Sequence, residues 1–431
     1  MKIQPILSIP KTSFNTKLNC VAFSNAYDST SFENPNINKK PLIERGILPK
    51  DYDVNLFFDK ISQAIFQDKT KQVYFSTMLK TGKITLSTNC YTDLSNPASA
   101  IGIKLNPKKT TKQHIALLEK HIQEGRGVGI NFSNIKNPIQ EIQEINSYFK
   151  FRQPNTKRAP AGIALLNVDN KNIIDFIRLK NIASYSDWCF DLSVVLPSDF
   201  FLKVDNNEDI TLSDGNKIKA KMIYYELLNS MLKSGEPGVI FSNDKEYICD
   251  CCATTQLKPD EKLTLAHINL AKFFNKNSNQ YDFNSLAQSA NLLAEAMSKI
   301  DNNGYIGILG YEDLINSTGL TYGQEQANQF LATILQTIKQ EALKHNIKTA
   351  IAPTGNSSRI VKASPSIEIK DNSQTSYWEE LDTLACAQKF LDGNISKTIN
   401  LKPYHTTKDI DNIVRYCATQ GIKGITVFPK N

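Results

Sequence analysis

The feature that most constrains this chain is an alternation of two kinds of segment. Short apolar runs (IGIKL, VGINF, AGIALLNV, LSVVLP, PGVIFS, GYIGILG, TAIAP, KGITVF) are separated by stretches of helical periodicity such as TTKQHIALLEKHIQEG, NIIDFIRLK and KDIDNIVRYCATQG. Parallel strands cannot be joined by tight hairpins and need crossovers, which helices supply. The pattern therefore predicts one large α/β body that begins near Pro41, with a long helix from about residue 323 to 345. No period at solenoid spacing is present, and no low-complexity linker divides the chain after residue 45. Residues 46–431 are expected to form this body. Residues 1–45, rich in Asn, Ser, Thr and Lys, offer little to bury and predict a flexible or loosely docked leader.

With 431 residues and 41% hydrophobic content, the chain can build a core without disulfide staples. Its apolar runs are all shorter than a membrane span, and MKIQPILSIPKTSFNTKLNC lacks the apolar core and cleavage site of an export signal, so a cytoplasmic protein is expected. The net charge of +7 comes from 50 basic residues interleaved with 43 acidic ones. Charge spread in this way suits a solvated surface or phosphorylated small molecules rather than a groove for nucleic acid.

Three of the eight cysteines crowd into ICDCCATTQ, at positions 249, 251 and 252. Adjacent residues of an extended chain point to opposite faces, and a tetrahedral metal site draws four ligands from spaced pairs, so no metal is expected here. A bridge between neighbouring cysteines would be strained, and a reducing compartment opposes it. A reactive thiol or a set of small buried hydrophobes remains. Two glycine loops add to this. GRGVGINFS (residues 125–133) runs from helix into strand, the reverse of the dinucleotide-binding order. APTGNSSRI (residues 352–360) follows a strand and offers Gly355, Ser357 and Ser358, as a phosphate-wrapping loop or as an ordinary turn.

Past the cluster, the order of motifs resembles one family. CATTQLKPDEKLTLAHINLAKFF is similar to the finger loop of the ribonucleotide reductase large chain, in which a cysteine is followed by a stretch like GSINLAKF. KRAPAG, IIDFIRLKN and DLSVVLPSDFF resemble that family's RRGA, DIEDFIELK and NLSVLVPDAFM. GEPGVIFSN, YIGILGYEDLI, GLTYGQEQA, APTGNSSRIVKASPSIE, ISKTINL and GIKGITVF then follow in family order. SKTINL, KGITVF and APTG look most like the adenosylcobalamin-dependent class.

The resemblance implies a ten-stranded α/β barrel of two antiparallel five-stranded halves, with a finger loop carrying a cysteine to its centre. It also implies reduction of a ribonucleoside di- or triphosphate at its 2′ carbon by a thiyl-radical mechanism, supplying DNA precursors. Adenosylcobalamin would be the cofactor, and an external dithiol such as a thioredoxin-like protein the reductant. Carried over residue by residue, Cys252 takes the thiyl position and Cys90 that of the first reducing cysteine. Thr77, Thr354, Gly355, Ser357 and Ser358 fall on phosphate-binding segments. The helix over residues 110–124 sits where the family pairs subunits, which implies a homodimer.

Three departures stand out. The family's Asn-X-Cys-X-Glu loop reads Asp250 and Thr254 at its outer positions, and a threonine hydroxyl is no base near neutral pH. Asp250, Glu246 or Asp244 is then the expected replacement. The second reducing cysteine falls on Leu263, which makes Cys249 and Cys251 the candidate substitute thiols. No cysteine pair precedes Asn431, so an outside reductant is expected. The stretch PIQEIQEINSYFKFRQPNT is shorter than the family's effector-reading segment, which predicts reduced allosteric control. The competing expectation is a catalytically inactive, reductase-like nucleotide-binding or regulatory protein.

Overall fold

Each apolar run becomes a strand because its β-branched side chains suit a sheet buried on both faces. The computed structural model describes residues 34–151, 159–181, 188–369 and 375–429. Ala100–Ile103, Gly127–Asn131, Gly162–Asn167, Phe190–Leu196 and Gly238–Phe241 lie side by side in chain order, all parallel. A second parallel group holds Lys262–Asn269, Gly304–Leu309 and Lys348–Thr349, and Thr398–Leu401 runs parallel to Gly424–Pro429. The groups meet antiparallel at two seams, Lys262–Asn269 on Ala100–Ile103 and Gly424–Pro429 on Gly238–Phe241.

These strands belong to one 11-stranded sheet, in which Ile84–Leu86 is an extra member paired antiparallel to Lys262–Asn269. A single bridge between Ile351 and Ile395 links the two ends of its path. Ile351 N donates to Asn394 O at 3.1 Å and Ser396 N to Ile351 O at 2.9 Å. The architecture is therefore mixed α/β with a large central sheet in two opposed parallel halves, as expected.

The helices form where the periodicity placed them. Thr111–Gln123 opens with a capping box between Thr110 and Gln113 and buries His114, Leu118 and Ile122, spaced four apart on one face. The long helix spans Glu325–Leu343. Most of the expected leader lies outside the described residues, but residues 34–45 are docked. Ile37 and Leu42 are buried in the main core because they are the apolar side chains of an otherwise polar stretch. The arginine and lysine of KRAPAG also lie outside the described residues.

Strand alternation divides the interior in two. Leu192, Val194 and Leu196 face the main core, whereas Val195 on the other face joins a separate small cluster with Ile163, Leu165, Ile240, Tyr247 and Cys249. A second inner cluster includes Ala100, Cys251, Leu257, Leu263 and Tyr305. Both are completed by residues 247–257, so the cysteine-rich segment fills the inner side of the sheet.

Candidate active site

The cysteine-rich segment is a miniature hairpin in which Ile248–Cys249 pairs antiparallel with Gln256–Leu257. Its turn is built by Asp250. One carboxylate oxygen accepts from Thr255 N at 2.7 Å, the other from Cys252 N at 3.1 Å. Ala253 takes the left-handed conformation at φ 53° to close the turn. The hairpin can approach the sheet closely because three wall positions beneath it are glycines. A Cβ on Gly129 would stand 1.8 Å from Cys249 O, one on Gly127 2.3 Å from Cys251 Sγ, and one on Gly102 2.8 Å from Ile248. The glycines of GRGVGINFS thus make room for the finger, a purpose that their spacing did not disclose.

Among the three thiols, Cys249 is sealed, and burial pushes it well above the usual thiol range. Cys251 is buried, with its Sγ 3.6 Å from that of Cys252. Cys252 is half-buried and lines a cavity of about 260 Å³. Asp250, Cys251 and Cys252 offer ligand atoms within 4.8 Å of one another. These make three donors rather than four, and both carboxylate oxygens already serve loop amides.

Asn394 was not found from the sequence, although it directly precedes the ISKTINL motif. Its backbone N–H donates to Thr254 O at 2.6 Å and its Nδ2 to Ala253 O at 3.0 Å, so it clamps the finger tip. Its Oδ1 is buried with no hydrogen-bond partner, as is the Thr254 hydroxyl. Asn394 lines the same cavity as Cys252.

Of the APTG loop, Pro353 is on the cavity wall beside Cys252, whereas the expected phosphate residues Thr354, Gly355, Ser357 and Ser358 follow it without lining the cavity. Within that loop the Thr354 hydroxyl is buried and accepts from Ser366 N at 2.7 Å, and Ser358 donates to Gly355 O at 3.2 Å. Ser357 is buried, whereas Gly355 is exposed with nothing near its missing Cβ. The loop's hydroxyls thus shape it, and its exposed backbone is free for a ligand. Thr77 sits on the exposed side of Lys69–Lys80, its hydroxyl donating to Val73 O at 2.7 Å.

Cys90, on the short helix Thr88–Thr92, packs in the main core, whereas Cys251 and Cys252 belong to an inner cluster. The Cys90 Sγ lies 3.3 Å from Ser87 Oγ, and burial pushes its pKa up to about 12. Leu263, where a second thiol was expected, packs with Cys251 in the inner cluster. Glu246 and Asp244 are on the exposed edge of the finger, engaged by Asn134 and Gln256 respectively.

The cavity also holds charges that were not anticipated. Asp191 and Glu236 line it. Glu236 is fully engaged, one oxygen with Lys180 Nζ at 2.7 Å and the other with Leu192 N at 2.7 Å. Burial raises its pKa to about 7 despite the lysine. Opposite lies Lys397, buried between Glu368 and Glu380.

Comparison with known proteins agrees with this architecture. Residues 111–352 match the model of the ribonucleotide reductase barrel domain. A vitamin B12-dependent ribonucleoside-diphosphate reductase of Thermoplasma acidophilum is 20% identical over 454 residues, covering 74% of this chain and 59% of that protein. The protein of the same description from Mycobacterium tuberculosis is 23% identical over 266 residues, 51% of this chain and 38% of its own length. The chain thus spans 59% or less of the lengths of these relatives.

Proposed function

Because the chain belongs to the ribonucleotide reductase large-chain family, we propose that it reduces ribonucleotides to 2′-deoxyribonucleotides with Cys252 as the radical-carrying sulfur. One observation carries this reading: the half-open Cys252 thiol and the start of the APTG loop share one cavity. A nucleoside di- or triphosphate lying across it would set its phosphates on the open backbone at Gly355 and its ribose against the finger tip. Both relatives are named for diphosphate substrates.

In the proposed reaction the Cys252 sulfur removes the 3′ hydrogen and returns it once the 2′ hydroxyl has left as water. The two electrons come from a pair of thiols that ends as a disulfide and is restored by an external, thioredoxin-type dithiol. Cys251 is 3.6 Å from Cys252 and packs against Leu263, so it is the first candidate, ahead of the sealed Cys249, for the thiol lost at Leu263, and its disulfide would close with Cys90 once that side chain turns out of the main core.

Adenosylcobalamin is the proposed cofactor, since the relatives are named vitamin B12-dependent. At about 260 Å³ the cavity lies just below the ~300–1,000 Å³ of ordinary ligand pockets and is too small for a corrin. The residues therefore fit the reacting end, where Asn394, Ser396 and Thr426 would face a nucleoside. When bound, the group supplies the radical that strips Cys252 of its hydrogen. The protein's part is to hold Cys252 and ribose together and to exclude water.

A second reading, a nucleotide-binding protein without turnover, is favoured by Thr254, Leu263 and the placement of Cys90. The deciding assay supplies nucleotide, adenosylcobalamin and a dithiol without oxygen. Deoxyribonucleotide should form, and Cys252→Ala should abolish it while nucleotide binding persists. Binding without product in the intact protein leaves the second reading standing.

A further inference from the structure

The finger carries no free base, yet the cavity it enters contains an unclaimed carboxylate. Asp250 is spent on loop amides, and Thr254 has only a hydroxyl. Of the two acids on the cavity wall, Glu236 is committed to Lys180 and Leu192 N. Asp191 is different. It is open to solvent at the start of Phe190–Leu196, and no hydrogen bond among the described residues engages its carboxylate. Strand alternation turns it inward beside Ser193, which lines the same cavity, while Leu192 faces the main core.

The wall around it is otherwise well supplied with contacts. Lys180 and Glu236 couple electrostatically to Asp191, Lys397, paired with Glu368 and Glu380, also lines the cavity, and Cys251 and Cys252 come from the finger. A second feature of the same cavity calls for a polar ligand: Asn394 Oδ1 is 4% exposed as a residue and unpartnered while its amide nitrogen clamps the finger. A buried acceptor left unpaired is costly, and a ligand hydroxyl would satisfy it.

We infer that Asp191 is the catalytic carboxylate of this chain: it accepts the hydrogen bond of the ribose 3′ hydroxyl, with Asn394 Oδ1 receiving the neighbouring hydroxyl. This rests on the reductase reading for its chemistry but not for its contact. As the 3′ carbon–hydrogen bond is broken by the Cys252 sulfur, the hydroxyl O–H bond breaks too. Its proton passes to the Asp191 carboxylate, the electron pair stays on the ribose oxygen, and the proton returns by the same path when product forms.

The test measures binding as well as turnover. Calorimetry compares ADP and CDP with their 3′-deoxy counterparts on the full chain and on Asp191→Asn and Asp191→Ser, at ~pH 8, where a carboxylate is ionised. The parent should prefer the 3′-hydroxyl nucleotides by about tenfold or more, the strength of a hydrogen bond to a charged group, and both variants should bind each pair within about twofold. Turnover, measured alongside, should fall ~10²–10⁴-fold in both variants. A parent without preference, or variants that keep it, overturns the assignment. A parent that discriminates through Asp191 yet forms no deoxyribonucleotide upholds the contact and removes the reductase reading instead.

Discussion

The finger hairpin and the APTG loop reach the same cavity by opposite means. The finger is packed from below by a glycine-lined wall, stapled internally by Asp250 and clamped at its tip by Asn394, so nearly every polar group is committed to its shape. The APTG loop uses hydroxyls to fix itself and leaves Gly355 open. The finger is enclosed and held from outside, whereas the loop leaves the Gly355 backbone bare.

Three variants sharpen this contrast. The largest effect is expected from Gly129→Ala, whose methyl would collide with Cys249 O. Backbone cannot yield as a flexible side chain does, so unfolding in urea should show a loss of about 3 kcal/mol or more, with deoxyribonucleotide formation abolished. Retained stability would mean that the finger is not seated on this wall.

Next comes His267, on the wall strand between the two regions, buried with neither ring nitrogen hydrogen-bonded. Burial lowers its pKa from 6.5 to about 4. The unfolded chain therefore takes up the proton first, so the stabilising contribution is present above about pH 6.5 and is lost as pH falls towards 4. Denaturation curves across this window should show a decline of order 3 kcal/mol at most, flattened by His267→Met.

The smallest effect on stability is expected for Gly355→Ala, where an added methyl meets nothing. A change within ~0.5 kcal/mol should accompany a several-fold weaker affinity for nucleoside diphosphate measured by calorimetry. Equal affinity would place the phosphates elsewhere.

The strands and helices were legible because their signals are local. A buried parallel strand is a short apolar run, and an amphipathic helix repeats with its own turn, as Thr111–Gln123 does. The order of motifs ahead of AHINLAKFF also singled out Cys252, and the structure sets it on the cavity wall. Cys90 shows the limit: the motif order set it beside the finger in role, but the short helix Thr88–Thr92 carries its side chain into the main core.

The amino-acid order by itself determined that this chain makes an α/β sheet with a cysteine-bearing finger, since periodicity and motif succession are properties of neighbours along the chain. Only the tertiary structure decided which groups share the cavity. Asp191, Glu236, Cys252, Pro353 and Asn394 come from five separated segments. They converge because the two parallel halves oppose each other and the path of the sheet returns through the Ile351–Ile395 bridge. No local pattern encodes that return, because it is enforced by hydrogen bonds between strands far apart in sequence.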